Sequence, residues 1–134
     1  SLHDALPIFA TVDSTGTISA LTKGTAVITA ESNKDATITA TCNLTVEPVY
    51  YTITFNATEN GGTTTTPTLK VEKDTDALTG VTATKEDYVF VGWATSSSAS
   101  ESEVLTEYIA TADIELYAIF VPLTIELNKS YYKV

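Results

Sequence analysis

The ten residues Thr37-Ile38-Thr39-Ala40-Thr41-Cys42-Asn43-Leu44-Thr45-Val46 alternate polar and apolar without a break. A period of two puts Ile38, Ala40, Cys42, Leu44 and Val46 on one face and the hydroxyl-rich set on the other, the pattern of a strand with one buried side. Short β-branched runs broken by turn chemistry continue on both sides of this stretch, so the chain reads as mainly β. Upstream, Asp13, Ser14, Thr15 and Gly16 turn the run ending at Val12 into Thr17 to Leu21. Lys23 and Gly24 then open the run Ala26 to Ala30, and Asn33, Lys34 and Asp35 make a third break. Alternation makes Cys42 a small inward hydrophobe. Its neighbours Thr41 and Asn43 carry no charge to activate a thiol.

Downstream, Tyr51, Ile53 and Phe55 alternate with Thr52, Thr54 and Asn56 until Asn60, Gly61 and Gly62 interrupt them. Thr63 to Thr66, followed by Pro67, predict an exposed loop, because hydroxyls and a proline supply no apolar face. Leu69 and Val71 resume a strand, Asp74 to Asp76 turn it, and Tyr88 to Trp93 form the most apolar strand of the chain. Ile114 to Val121 is apolar on both faces and is therefore expected at the centre of a sheet. One short helix is expected over Glu101 to Tyr108. Ser100 and Glu103 have capping-box spacing there, and Val104, Leu105, Tyr108 and Ile109 share a face.

Composition narrows the function classes. The 134 residues are 43% apolar, enough for a packed core, and their 17 acidic groups outnumber seven lysines to give a net charge of −10. A nucleic-acid surface needs a dense cationic face and is excluded. A single cysteine makes no internal disulfide or zinc site, and no apolar run approaches the ~20 residues of a membrane span. The lone histidine, His3, lies in residues 1–8, which fit nothing that follows and read as a translated sequencing-adapter scar to be left out of fold reasoning. Glu47-Pro48 and Pro122 act as joints, and Leu123 to Val134 reads as the opening strand of a truncated further domain.

Two resemblances attach to the intervening segments. Residues 9–48 carry Ala10-Thr11-Val12-Asp13, Gly16, Ile18, Ala20-Leu21, Gly24-Thr25-Ala26, Ile28-Thr29-Ala30 and a closing Thr41-Cys42-Asn43-Leu44-Thr45-Val46. This text resembles the last half of a bacterial immunoglobulin-like group 2 (Big_2) domain. The resemblance implies half of a β-sandwich, whose opening strands are not in this segment and whose apolar face is left exposed. Residues 49–121 carry Tyr51-Thr52-Ile53-Thr54-Phe55-Asn56 with Asn60-Gly61-Gly62, then Lys85, Asp87-Tyr88-Val89-Phe90, Gly92-Trp93, then Asp113-Ile114, Leu116-Tyr117-Ala118. These blocks resemble the Listeria–Bacteroides repeat, the internalin-type B repeat of bacterial surface proteins. Asp87 and Phe120 depart from that pattern, which has glycine and tryptophan there. The resemblance implies a small β-grasp-like fold of about four strands.

Few side chains are candidates for chemistry. Trp93, following Gly92 in an apolar strand, has the profile of a core anchor more than of a sugar platform. Glu101, Glu103 and Glu107, and the pair Asp74 and Asp76, lack the spacing of a calcium loop and read as a solvated acidic face. The glycosylation triplets at Asn43, Asn56 and Asn128 are read as chance. No catalytic, cofactor-binding or metal-binding residue is assigned, and no cofactor is expected. The function expected is a non-catalytic structural spacer segment of an extracellular, cell-surface or secreted bacterial protein, with a part in adhesion. Its partners would be neighbouring modules of the same chain and host or cell-wall glycan or protein. The alternative is a carbohydrate-binding accessory module of a polysaccharide-degrading enzyme, reading glycans through an aromatic strip of Tyr50, Tyr88 and Trp93.

Overall fold

The structure, a computed structural model, describes residues 2–4 and 9–124. The chain divides between Val49 and Tyr50 into two compact units, each with its own sheets.

In the first unit, β4 (Gly24–Glu31) and β5 (Thr39–Val46) form an antiparallel ladder in which Ile28 faces Cys42, Ala26 faces Leu44 and Ala30 faces Ala40. A slip of one residue would carry this apolar set to the threonine face, so the alternation fixes the register. β1 (Leu2–Asp4) pairs antiparallel with β4 on its other edge. Those residues fall in the segment set aside as a scar. Ladder bonds are made by main chain whatever the side chains, so the pairing says nothing of the segment's origin. β2 (Ala10–Val12) and β3 (Ile18–Ala20) form a hairpin around the expected turn. Asp13 Oδ1 accepts from the Thr15 and Thr17 backbone N–H groups at 2.8 and 2.9 Å, and Gly16 takes φ 89°.

These strands do not enclose a core. Among the described residues of this unit the buried hydrophobics are Ala10, Ala26 and Ile28, while Ile18, Val27 and Ile38 are exposed. Cys42 is exposed too, which corrects the inward reading. Alternation assigns a side chain to a face, but burial needs a second layer over it, and among the described residues none covers Cys42. Burying one large aliphatic side chain stabilises by ~1.5–3 kcal/mol. Ordering the backbone costs ~1–2 kcal/mol per residue, so this unit is marginal by itself.

The second unit is built on a four-stranded mixed sheet of β6 (Tyr50–Asn56), β8 (Thr68–Glu72), β10 (Tyr88–Ala94) and β11 (Ile114–Pro122). Across the sheet the order is β10-β11-β6-β8. β11 is central, as its two apolar faces require; it runs parallel to β6 and antiparallel to β10. Ile53 and Phe55 of β6, Val71 of β8, Leu116 and Ala118 of β11, and Trp93 of β10 point into one core. Ala77, Val81, Ala83 and Ala110, from outside the sheet, close it. Phe90 and Trp93 both pack there although they are an odd number of residues apart. A register shift between Phe90 and Gly92 supplies the extra residue, and Gly92, at φ 154°, permits the bend.

Two local expectations change. The helix over Glu101 to Tyr108 is only one 3-10 turn, Glu101–Glu103, which the Ser100–Glu103 capping box does start. Val104 turns extended, and the Leu105 N–H donates to Trp93 O at 2.8 Å. Further on, the Ala77 N–H donates to Tyr108 O and the Ala110 N–H to Thr75 O, both at 2.9 Å. Tertiary pairing thus takes the main-chain groups that a helix would have used. The threonine loop is likewise partly a ladder, because β7 (Thr63–Thr64) pairs with β9 (Ala83–Thr84). The Thr64 hydroxyl donates to Thr82 O at 2.7 Å, so this side chain needs no apolar face to sit half-buried. The strand expected beyond Leu123 lies mostly in 125–134, outside the described residues.

Candidate functional site

The side chains singled out in the sequence do not converge. Trp93 is 2% exposed and donates its indole Nε1–H to Val81 O at 2.9 Å. Its ring centroid lies 4.8 Å from that of Phe55, tilted, and 5.4 Å from that of Phe90, edge-on, so the indole is the hub of an aromatic cluster. Tyr50 and Tyr88 are exposed but stand at opposite ends of the sheet. Tyr50 precedes the part of β6 that pairs with the start of β11, whereas Tyr88 pairs with Pro122 at its end. The three aromatic residues therefore form no common strip.

Two of these acidic residues, Asp76 and Glu103, are spent on the protein's own backbone. Asp76 Oδ1 accepts from the Tyr108 N–H at 2.9 Å and the Leu78 N–H at 3.2 Å. Its Oδ2 accepts from the Thr79 N–H at 3.1 Å and the Thr79 hydroxyl at 2.7 Å. The Tyr108 N–H, then the Thr79 hydroxyl, hold this carboxyl below the ordinary aspartate range. Asp74 occupies a left-handed turn at φ 64°. Glu103 closes the capping box on Ser100, and those bonds hold its pKa down as well. Glu101 and Glu107 are exposed. Among the described residues no three His, Cys, Asp or Glu side chains are grouped to hold a metal ion. Of the glycosylation triplets, Asn43 and Asn56 are in strands, and Asn128 lies outside the described residues.

Two further polar side chains matter that periodicity does not single out. Asp113 Oδ1 accepts the Thr52 N–H at 2.8 Å, which pins the start of β11 to β6. Asn60 ends the 3-10 turn Thr58–Asn60 and donates both Nδ2 hydrogens, to Ser97 O and Ala118 O, each at 2.9 Å. Asn60 also lines a surface cleft of about 530 Å³ with Glu59, Gly61, Lys85 and Phe120. Lys85 Nζ sits 3.8 Å from the Tyr88 ring centroid and 5.8 Å from that of Phe120, a cation held on aromatic faces. A second groove, of about 360 Å³, is lined by Thr54, Phe55, Thr63, Thr64, Pro67 and Glu115 among others. Their place in the quoted blocks was the only signal for Asp113 and Asn60, since a polar residue beside a strand has no periodicity to read.

A small mixed sheet with the Trp93 indole in its core defines the class: a small β-rich domain. Residues 51–119 match the Listeria-Bacteroides repeat domain, and the chain belongs to that family. Repeats of this family are typical of bacterial surface proteins. No curated protein and no solved structure matches the chain. Among the described residues no helix is long and apolar enough to cross a membrane.

Proposed function

We propose that the chain is a non-catalytic spacer segment of a modular, extracellular bacterial surface protein, serving adhesion through the reach and stiffness it gives its neighbours. The observation that supports this reading is the threading of the second unit. The chain enters through β6 and leaves through β11, and these two strands are paired in parallel, Ile53 to Asn56 against Ile114 to Tyr117. Tension along the chain pulls the two strands past each other. The ladder bonds then share the load instead of opening one by one. In this reading the first unit is the closing half of a bacterial immunoglobulin-like group 2 domain. The hairpin, the β4–β5 ladder and the exposed apolar side chains of that unit are consistent with such a half. The partners are adjoining modules, and through them host or cell-wall glycan or protein.

Display on a bacterial surface tests the proposal. With residues 50–122 placed between an anchor and a fluorescent tag, the tag should stand at a fixed distance from the membrane. A Gly/Ser linker of equal length, a flexible coil, should give a broad distribution with a longer mean distance. Equal distributions for the two inserts would contradict it.

A further inference from the structure

We propose that Asn60-Gly61 is a latent self-modification site: the folded module holds it unreactive, and unfolding releases it to cyclise and hydrolyse, making loss of the fold irreversible. The inference is independent of the spacer reading and rests on the Asn60 latch alone.

The fold itself demands glycine after this asparagine. Gly61 caps the 3-10 turn in the left-handed region at φ 74°, which a side chain strains to adopt. At Gly62 a methyl group would collide with the Phe120 ring and with Thr84 O. Of the five asparagines only Asn60 is followed by glycine; Lys34, Leu44, Ala57 and Lys129 follow the others. In a free chain the glycine leaves its own backbone nitrogen unhindered. That nitrogen gives up its proton to water or hydroxide and attacks Asn60 Cγ. The N–Cγ bond forms, the Cγ–Nδ2 bond breaks and ammonia departs, leaving a five-membered succinimide. Water then opens the ring to aspartate or isoaspartate, with no change of oxidation state.

Three features of the folded module oppose each part of that step. Asn60 lies in a 3-10 turn, and the ψ typical of such turns, about −20 to −30°, leaves Cβ and the next nitrogen roughly a right angle from the eclipsed arrangement that ring closure needs. The Gly61 N–H is already committed to Thr58 O at 3.0 Å. The departing amide is clamped by the carbonyls of Ser97 and Ala118. After conversion the clamp cannot re-form, because a carboxylate has no hydrogen to donate and would face two carbonyl oxygens. Isoaspartate, with one more backbone atom, also breaks the path into the Gly61 turn.

The test ages the full chain in mildly alkaline buffer, folded and in denaturant, and follows amide-to-acid conversion at each asparagine by peptide mass spectrometry. Conversion at Asn60 should lead all other sites in denaturant. In the folded protein it should be slower by at least roughly tenfold, since it then waits on opening of the module. After dilution from denaturant, the fraction that fails to regain native Trp93 fluorescence should track the fraction converted. Equal Asn60 rates in the two conditions, faster conversion elsewhere in the unfolded chain, or converted molecules that refold to an unchanged thermal midpoint would each overturn the proposal. Asn60→Asp, a copy of one product, should melt lower than the native chain, and an unchanged midpoint would also count against it.

Discussion

Two side chains hold much of the second unit. Trp93 supplies both a large apolar surface and a donor that finds Val81 O, so it is satisfied on all sides. Trp93→Ala should cost about 3–5 kcal/mol in a urea titration, the usual loss for a buried aromatic residue. The native indole should emit as a buried fluorophore, with no shift on adding soluble cell-wall or plant glycan. A shift at sugar concentrations that leave the protein folded would revive the aromatic-strip reading. Asp76 binds the 76–79 turn to Tyr108, and its folded carboxyl titrates below the unfolded value of about 3.9. The stabilisation is thus present above that pH and is lost as pH falls through the lower, folded value. Asp76→Asn keeps an acceptor but turns an NH₂ toward donors. It should lower stability by about 1–2 kcal/mol at neutral pH, and its melting curve should converge on that of the native chain in acid.

At the scale of elements, the strands were legible because alternation is a local property: 37–46 and 51–56 carry their register in their own text. The central place of β11 was legible from its two apolar faces. The bulge in β10 was signalled only by Gly92 inside a strand pattern, and what makes that glycine necessary is distant: a methyl group there would meet Val104 Cγ1. Gly92→Ala should therefore destabilise the unit. Adding Val104→Ala should recover part of the loss, read as a non-additive double-mutant cycle, because the collision is relieved while the strain at φ 154° stays. The same Val104 shows why the helix was misread. Its apolar spacing fits a helical face, yet its neighbour Leu105 bonds to β10 instead. Cys42 shows the converse limit, since periodicity finds its face and not its cover. Being exposed, it should react with a soluble disulfide reagent in the native protein nearly as fast as in denaturant. Strong protection in the native protein would mean that a layer covers β5.

At the scale of the whole chain, a net charge of −10 on hydroxyl-rich surfaces favours solubility and repels other acidic surfaces, which suits the proposed place outside a cell. The proposed mechanical role is a property of topology that no single residue displays. It depends on which strands the chain enters and leaves by, and the long-range parallel pairing of β6 with β11 has no signature in either strand alone. Single-molecule pulling on the second unit tests that role most directly, with handles placed either at positions 50 and 122 or at positions 50 and 72. Tyr50 and Glu72 are direct partners in the antiparallel ladder, so the second geometry peels β6 from β8 one bond at a time. The account predicts a single cooperative rupture at clearly higher force through 50 and 122. Equal forces in the two geometries, or gradual extension through 50 and 122, would contradict it.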